Sequence, residues 1–252
     1  GLYNEMKVDP VVIGQVGQYS ENVYFGKPCG LMDQMACSVG SLIHIDFADP
    51  ENPIVEQLKF DLNTYGYSLC ITDTKGTHTD LTPDYAAIPQ EMKKAAECLG
   101  KNFLGEVSKE EIINNITRIR DCAGDRAALR ALHFVCENER VKEEVDALKK
   151  NNFPQFLTKV KESGDSSFKY LQNVYTCHDV QHQNVSIALA LSDVIFGKKG
   201  VCRVHGGGFA GTIQAFVPND IVSMYKKNME HVFGEGACHV LKVRPYGGMK
   251  VL

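Results

Sequence analysis

Apolar positions recur along this chain at spacings of three and four over long stretches and alternate over a few short ones, so the pattern mixes helices with strands. Val12, Val16, Tyr19 and Val23 follow one another at four, three and four, which predicts a helix with one apolar face. Asp9 can cap that helix, Pro10 suits its first turn and Gly26 can end it. Leu31 to Cys37 predicts a second, short helix with Asp33 in its first turn, where free N–H groups favour a carboxylate. Strands are predicted next: Leu42 to Phe47, a weaker one at Ile54 to Phe60, and one through Tyr67, Leu69 and Ile71. Asp73-Thr74-Lys75-Gly76 leaves the last of these as a polar loop.

The middle of the chain reads as helix. Ile88, Met92, Ala95 and Leu99 form one face closed by Gly100, with Pro89 tolerable only near the start of such a helix. Ser108 and Glu111 form a capping box. A long helix is predicted over residues 125–150, another over 153–160 and another over 179–196. The remainder alternates: strand 201–204, strand 212–217, helix 219–233, strand 238–243. This β-β-α-β order, with the helical middle, gives an α+β fold. The expected division runs between residues 1–80 and 81–252.

Composition narrows the class. The 252 residues are 44% hydrophobic and 23% charged, as in soluble globular chains, and the net charge of −4 gives no reason to expect nucleic acid. No apolar run reaches the length of a membrane span and no signal peptide is visible. The nine cysteines are odd in number and lack zinc-ligand spacing, so reduced thiols in a cytoplasmic protein are expected.

Three stretches carry candidate chemistry. In Gly26-Lys27-Pro28-Cys29-Gly30-Leu31-Met32-Asp33-Gln34-Met35, Gly30 would let a hydroxylated ligand approach the backbone and Asp33 could take its proton. In His205-Gly206-Gly207-Gly208-Phe209-Ala210-Gly211, four glycines in six residues suit either a tight connection between strands or a turn packed on a phosphate. Tyr85, 52 residues after Asp33, is either a half-buried helix-start tyrosine or a ligand contact. His133 and Glu137 share a helix face and read as a structural pair, while His178 and His182 are also four apart with nothing to complete a metal site.

These strings resemble the galactokinases, in the superfamily of galacto-, homoserine, mevalonate and phosphomevalonate (GHMP) kinases. The first is similar to their sugar-binding and catalytic segment and the second to their third, glycine-rich motif, with His205 in place of the usual threonine and Ala210 in place of a common glycine. Ala128 to Arg140 looks like the family's Arg-x-x-His-x-x-x-Glu-Asn-x-Arg helix, and Val243 to Gly248 like its C-terminal end. Tyr85 stands where the family has a sugar-contacting tyrosine, although Ala86-Ala87-Ile88 replaces the Asn-x-Arg that usually follows.

The resemblance implies a GHMP-kinase-like fold, with residues 1–80 the remainder of an N-terminal catalytic domain and 81–252 the C-terminal domain. It implies ATP-dependent phosphorylation of galactose at its anomeric hydroxyl, with Asp33 as base, Gly30, Asp33 and Tyr85 on the sugar, and Gly206, Gly207, Gly208 and Gly211 beside the phosphates of ATP. Two family motifs, an Arg-containing Gly-Glu-His-x-Asp-Tyr sugar segment and a Gly-Leu-x-Ser-Ser phosphate loop, do not occur in these residues. The expectation is therefore a C-terminal fragment, inactive alone and able to self-associate, with the main ATP and Mg²⁺ ligands in the absent part. The alternatives are a galactose- and ATP-binding sensor without turnover and a GHMP kinase for another sugar.

Overall fold

A computed structural model of the chain describes residues 8–26, 29–76 and 81–248. Lys27 and Pro28, within the first candidate stretch, lie outside the described residues. The chain forms two compact units: one of residues 1–61 and 242–252, the other of residues 62–241. The division therefore falls at 61/62 rather than 80/81, because the strand after residue 66 hydrogen-bonds to strands near the end of the chain.

In the first unit, α1 (Pro10–Tyr19) continues as a wider π-helical turn, Ser20–Tyr24. Asp9 caps it by accepting a hydrogen bond from the Val11 N–H at 2.8 Å, and Pro10 occupies the first turn. α2 (Met32–Val39) packs against α1. α1 meets α2 through its small residue rather than its valines. Gly14 is buried, and a Cβ there would stand 3.3 Å from the Met35 sulfur, so the small residue lets the helices close up. Val12, Val16, Tyr19 and Val23 are exposed instead. β1 (Leu42–Asp46) and β2 (Ile54–Leu58) follow as an antiparallel pair with Leu42 opposite Leu58 and His44 opposite Glu56.

The second unit is built on an antiparallel sheet ordered β4-β5-β3-β6, with β3 Tyr67–Asp73, β4 Val201–Val204, β5 Thr212–Pro218 and β6 Cys238–Leu241. Cys70 lies opposite Ala215 on one side and Val240 on the other. Alternation of strand residues buries Cys70, Ile213, Ala215, Val217 and Val204 with Val185 and Ala188 of α8 (Asn184–Phe196) and Tyr225 and Met229 of α9 (Val222–Phe233). Phe216 points from the other side of β5 to Phe156 on α7 (Phe153–Ser166), with ring centroids 5.4 Å apart.

The helical layer comprises α3 (Thr82–Cys98), α4 (Lys109–Asn114), α5 (Ile116–Ala123) and α6 (Asp125–Lys149). Its core is small-residue rich: Ala95, Ala96, Ala127, Ala128 and Ala131 pack with Ile112, Ile119 and Val135. Ser108 accepts from the Glu111 N–H at 3.1 Å at the start of α4. α3 begins earlier than expected and carries Pro89 in its interior, where the ring supplies no N–H to the helix. α8 begins at Asn184, five residues later than expected, so His178 and His182 are not on a helix; His182 pairs with Asp179 at 2.7 Å. Cys98 and Cys122 form a disulfide between α3 and α5, in place of the expected free thiols. Their Cα atoms are 6.1 Å apart, a separation the packing of the two helices supplies.

Candidate active site

Asp33 is the second residue of α2, exposed, with no hydrogen-bond or ion-pair partner among the described residues. Its helix starts there because Leu31 is buried and turns the chain, so that the Leu31 carbonyl accepts from the Met35 N–H at 3.0 Å. Gly30, three residues earlier, has open space where a Cβ would stand. The preceding segment is held by side chains: Asn22 accepts from the Cys29 N–H at 2.8 Å, and Gln18 donates to the Cys29 carbonyl at 3.1 Å. A carboxylate at the start of a helix, unpaired and beside an open glycine, can accept a proton or a hydroxyl hydrogen bond from a ligand.

Tyr85 and the glycine turn meet within the second unit. The turn joins β4 to β5 and opens with the His205 N–H donating to the Thr212 carbonyl at 3.0 Å. Tyr85, in the first turn of α3, donates its hydroxyl to the Gly208 carbonyl at 2.8 Å and crosses the Phe209 ring edge-to-face at 5.3 Å. Burial pushes its phenol pKa above the ordinary value. Leu81, Phe209 and Ala210 form a small apolar cluster under it. Thr74, at the end of β3, holds the other end of the turn, since its N–H and its hydroxyl both donate to the Gly211 carbonyl, at 2.8 and 2.7 Å.

Sequence reasoning missed Asn173. It lies just after α7, which runs on as a π-helical turn to Leu171, and it follows Gln172 in the left-handed region. Its side-chain amide donates to the Gly207 carbonyl at 3.2 Å and its own carbonyl accepts from the Phe209 N–H at 2.5 Å. No periodic signal marks it, because both contacts are to backbone. The N–H groups of Gly206, Gly207 and Gly208 find no acceptor among the described residues. Gly206 and Gly208 are left-handed, with φ of +69° and +84°, and Gly207 between them is not. Such alternation turns successive N–H groups to one side, an arrangement suited to an anion. The turn thus offers donors to an anion.

His133 and Glu137 serve the joint between α6 and α7 rather than a ligand. The His133 Nδ1 lies 2.9 Å from the Ser166 hydroxyl, and Glu137 binds Ser163 and Arg140, with Arg203 of β4 at 3.6 Å. Among the described residues no group of three or more His, Cys, Asp or Glu could hold a metal ion, and no helix is long and apolar enough to cross a membrane.

Comparison with known proteins places the chain. A galactokinase of Glaesserella parasuis serovar 5 is 30% identical over 215 residues, covering 85% of this chain and 53% of that protein. One of Haemophilus influenzae (strain ATCC 51907 / DSM 11121 / KW20 / Rd) is 28% identical over 217 residues, 84% of this chain and 52% of its own. The chain is a relative of the galactokinases. The crystal structure of Lactococcus lactis galactokinase complexed with galactose superposes with a TM-score of 0.76 at 24% identity, over 99% of this chain and 63% of that one. A putative sugar kinase from Campylobacter jejuni gives 0.56 at 12% identity, over 98% and 58%. This galactokinase relative therefore has a GHMP-kinase-like fold, and it spans about half the length of the curated relatives it matches. No protein-family model matches it.

Proposed function

We propose that this galactokinase relative belongs to an ATP-dependent sugar kinase that phosphorylates galactose at its anomeric hydroxyl. The observation that supports this best is Asp33: exposed, without a side-chain partner among the described residues and at the second position of a helix, within the string that resembles the galactokinase catalytic segment. In this reading Asp33 orients the sugar hydroxyl and accepts its proton, and Gly30 lets the sugar approach the backbone. Tyr85 already donates its hydroxyl to Gly208, so toward a sugar hydroxyl it acts as an acceptor. The N–H groups around Gly206 to Gly208 face nucleotide phosphates, with Gly211 closing the turn against Thr74. ATP brings the phosphoryl group, and Mg²⁺ would draw its ligands from outside these residues.

The two family motifs absent from the 252 residues make this chain alone inactive in this reading. The test is made in a protein that carries both motifs ahead of this sequence. Asp33→Asn is expected to lower kcat for galactose by about 10²–10⁴-fold, the usual loss when a general base is removed, with little change in KM. An unchanged kcat overturns the assignment of Asp33. Galactose and ATP binding without turnover in the unmutated protein replaces the kinase reading with the sensor.

A further inference from the structure

We infer that Asn173 is a positioning residue that aims the Gly208 N–H of the glycine turn at an anionic ligand, an inference that rests on reading that turn as the phosphate site. A trans peptide points its C=O and N–H in opposite directions. The Asn173 side-chain amide holds the Gly207 carbonyl, so the Gly208 N–H of the same peptide is turned away from Asn173. The Asn173 carbonyl holds the Phe209 N–H, so the Gly208 carbonyl of that next peptide points the other way, where the Tyr85 hydroxyl meets it. Two consecutive peptide planes are thereby fixed by one asparagine and one tyrosine.

The asparagine is held there at a cost. It is 3% exposed, and its Oδ1 finds no partner among the described residues. An unsatisfied buried acceptor destabilises a fold, and an apolar side chain would avoid it. The amide therefore stands at this position for what its donor does to Gly207. The approach is also close. A Cβ on Gly208 would fall 1.8 Å from the Asn173 carbonyl oxygen, so the turn lies directly on this residue.

The experiment uses the 252-residue chain and inorganic tripolyphosphate, with affinity read from the ¹⁵N-resolved amide shifts of Gly206, Gly207 and Gly208. In Asn173→Asp a carboxylate faces the Gly207 carbonyl and the donor is lost; affinity is expected to fall about tenfold near pH 8, the scale of one hydrogen bond. Protonation of that buried carboxyl restores an O–H donor. Toward about pH 5 the ratio of variant to wild-type affinity is therefore expected to close, which a merely structural role does not produce. A tenfold loss without recovery overturns the donor role. Equal binding by variant and wild type at every pH overturns this inference and leaves the phosphate reading of the turn standing. No response of the wild-type glycine amides to tripolyphosphate overturns both. If Asn173→Asp loses its dispersed spectrum, Asn173→Ala takes its place: weakened binding supports the inference and unchanged binding overturns it.

Discussion

At the scale of single residues, Gly206 and Gly208 separate two costs that a glycine-rich string conflates. Both are left-handed, but a Cβ on Gly206 meets nothing within 4 Å, while one on Gly208 collides with the Asn173 backbone. Gly206→Ala is expected to cost about 1 kcal/mol, the left-handed penalty alone. Gly208→Ala adds a clash with main chain that cannot swing aside, and is expected to cost roughly 3 kcal/mol. Thermal melts of the two variants check this: equal Tm losses would show that the turn re-forms around the added methyl. The residue scale is also where the sequence is most and least informative about the candidate site. Asp33 and the glycines stood out as candidates because residue type at fixed spacing carries the resemblance. Tyr85 was legible only through the family resemblance, and the structure brings it onto the glycine turn. Asn173 and Thr74 hold the same turn through main-chain carbonyls, and backbone partners leave no pattern in the side-chain sequence.

At the scale of elements, α6 and α7 meet through a polar cluster with two groups titrating in opposite senses. Burial, reinforced by Arg140 and Arg203 against the opposing pull of Glu137, brings the His133 pKa down to about 4. Burial and the Glu137 charge raise that of Glu144 to about 7, with Arg203, Arg140 and Lys159 opposing. A histidine with a lowered folded pKa loses its stabilising contribution as pH falls from 6.5 toward 4. A glutamate with a raised one loses its contribution as pH rises from 4.5 toward 7. Across the shared window the two slopes offset. Glu144→Gln is therefore expected to make stability rise with pH between about 4 and 6.5, and His133→Gln to make it fall between about 4.5 and 7, each by on the order of 3 kcal/mol relative to wild type. Urea unfolding at several pH values reads both slopes, and parallel profiles for wild type and the two variants would remove the cluster from the account. The elements themselves were largely legible, because 3.6- and 2-residue periods mark which side is apolar. The exceptions have physical causes. α3 runs through Pro89 because packing in the helical layer outweighs one lost hydrogen bond. Residues 179–183 stay out of α8, where Asp179 binds the His182 ring and N–H. The disulfide was not legible, since cysteines 24 apart meet only once α3 and α5 pack.

At the scale of the whole molecule, the chain enters the second unit just before β3 and leaves it just after β6, and these two strands are neighbours in the sheet. The expected boundary near residue 80 missed this because strand pairing across some 170 residues is a tertiary fact, invisible to local pattern. The first unit carries the exposed apolar face. Its most periodic helix turns its smallest residue inward and its valines outward: Val16 is 59% exposed, Tyr24 78% and Phe25 81%, along with Val12, Ile13, Tyr19 and Val23. Scattered exposed apolar residues are ordinary, but these seven fall within residues 12–25, on α1, its π-helical continuation and the residue that ends it. Contiguous apolar surface beyond a few hundred Å² drives association in water. The 252-residue chain is therefore expected to self-associate with a midpoint in the micromolar range, about −8 kcal/mol of association free energy. Val12→Lys with Val16→Glu, on the exposed side and clear of the Gly14–Met35 contact, should shift that midpoint at least tenfold toward monomer while leaving helix content unchanged. Sedimentation velocity over a range of concentrations reads the midpoint directly. A chain that stays monomeric throughout, or an association indifferent to both charges, would show that this face tolerates water and that its apolar period marks a helix without marking an interface.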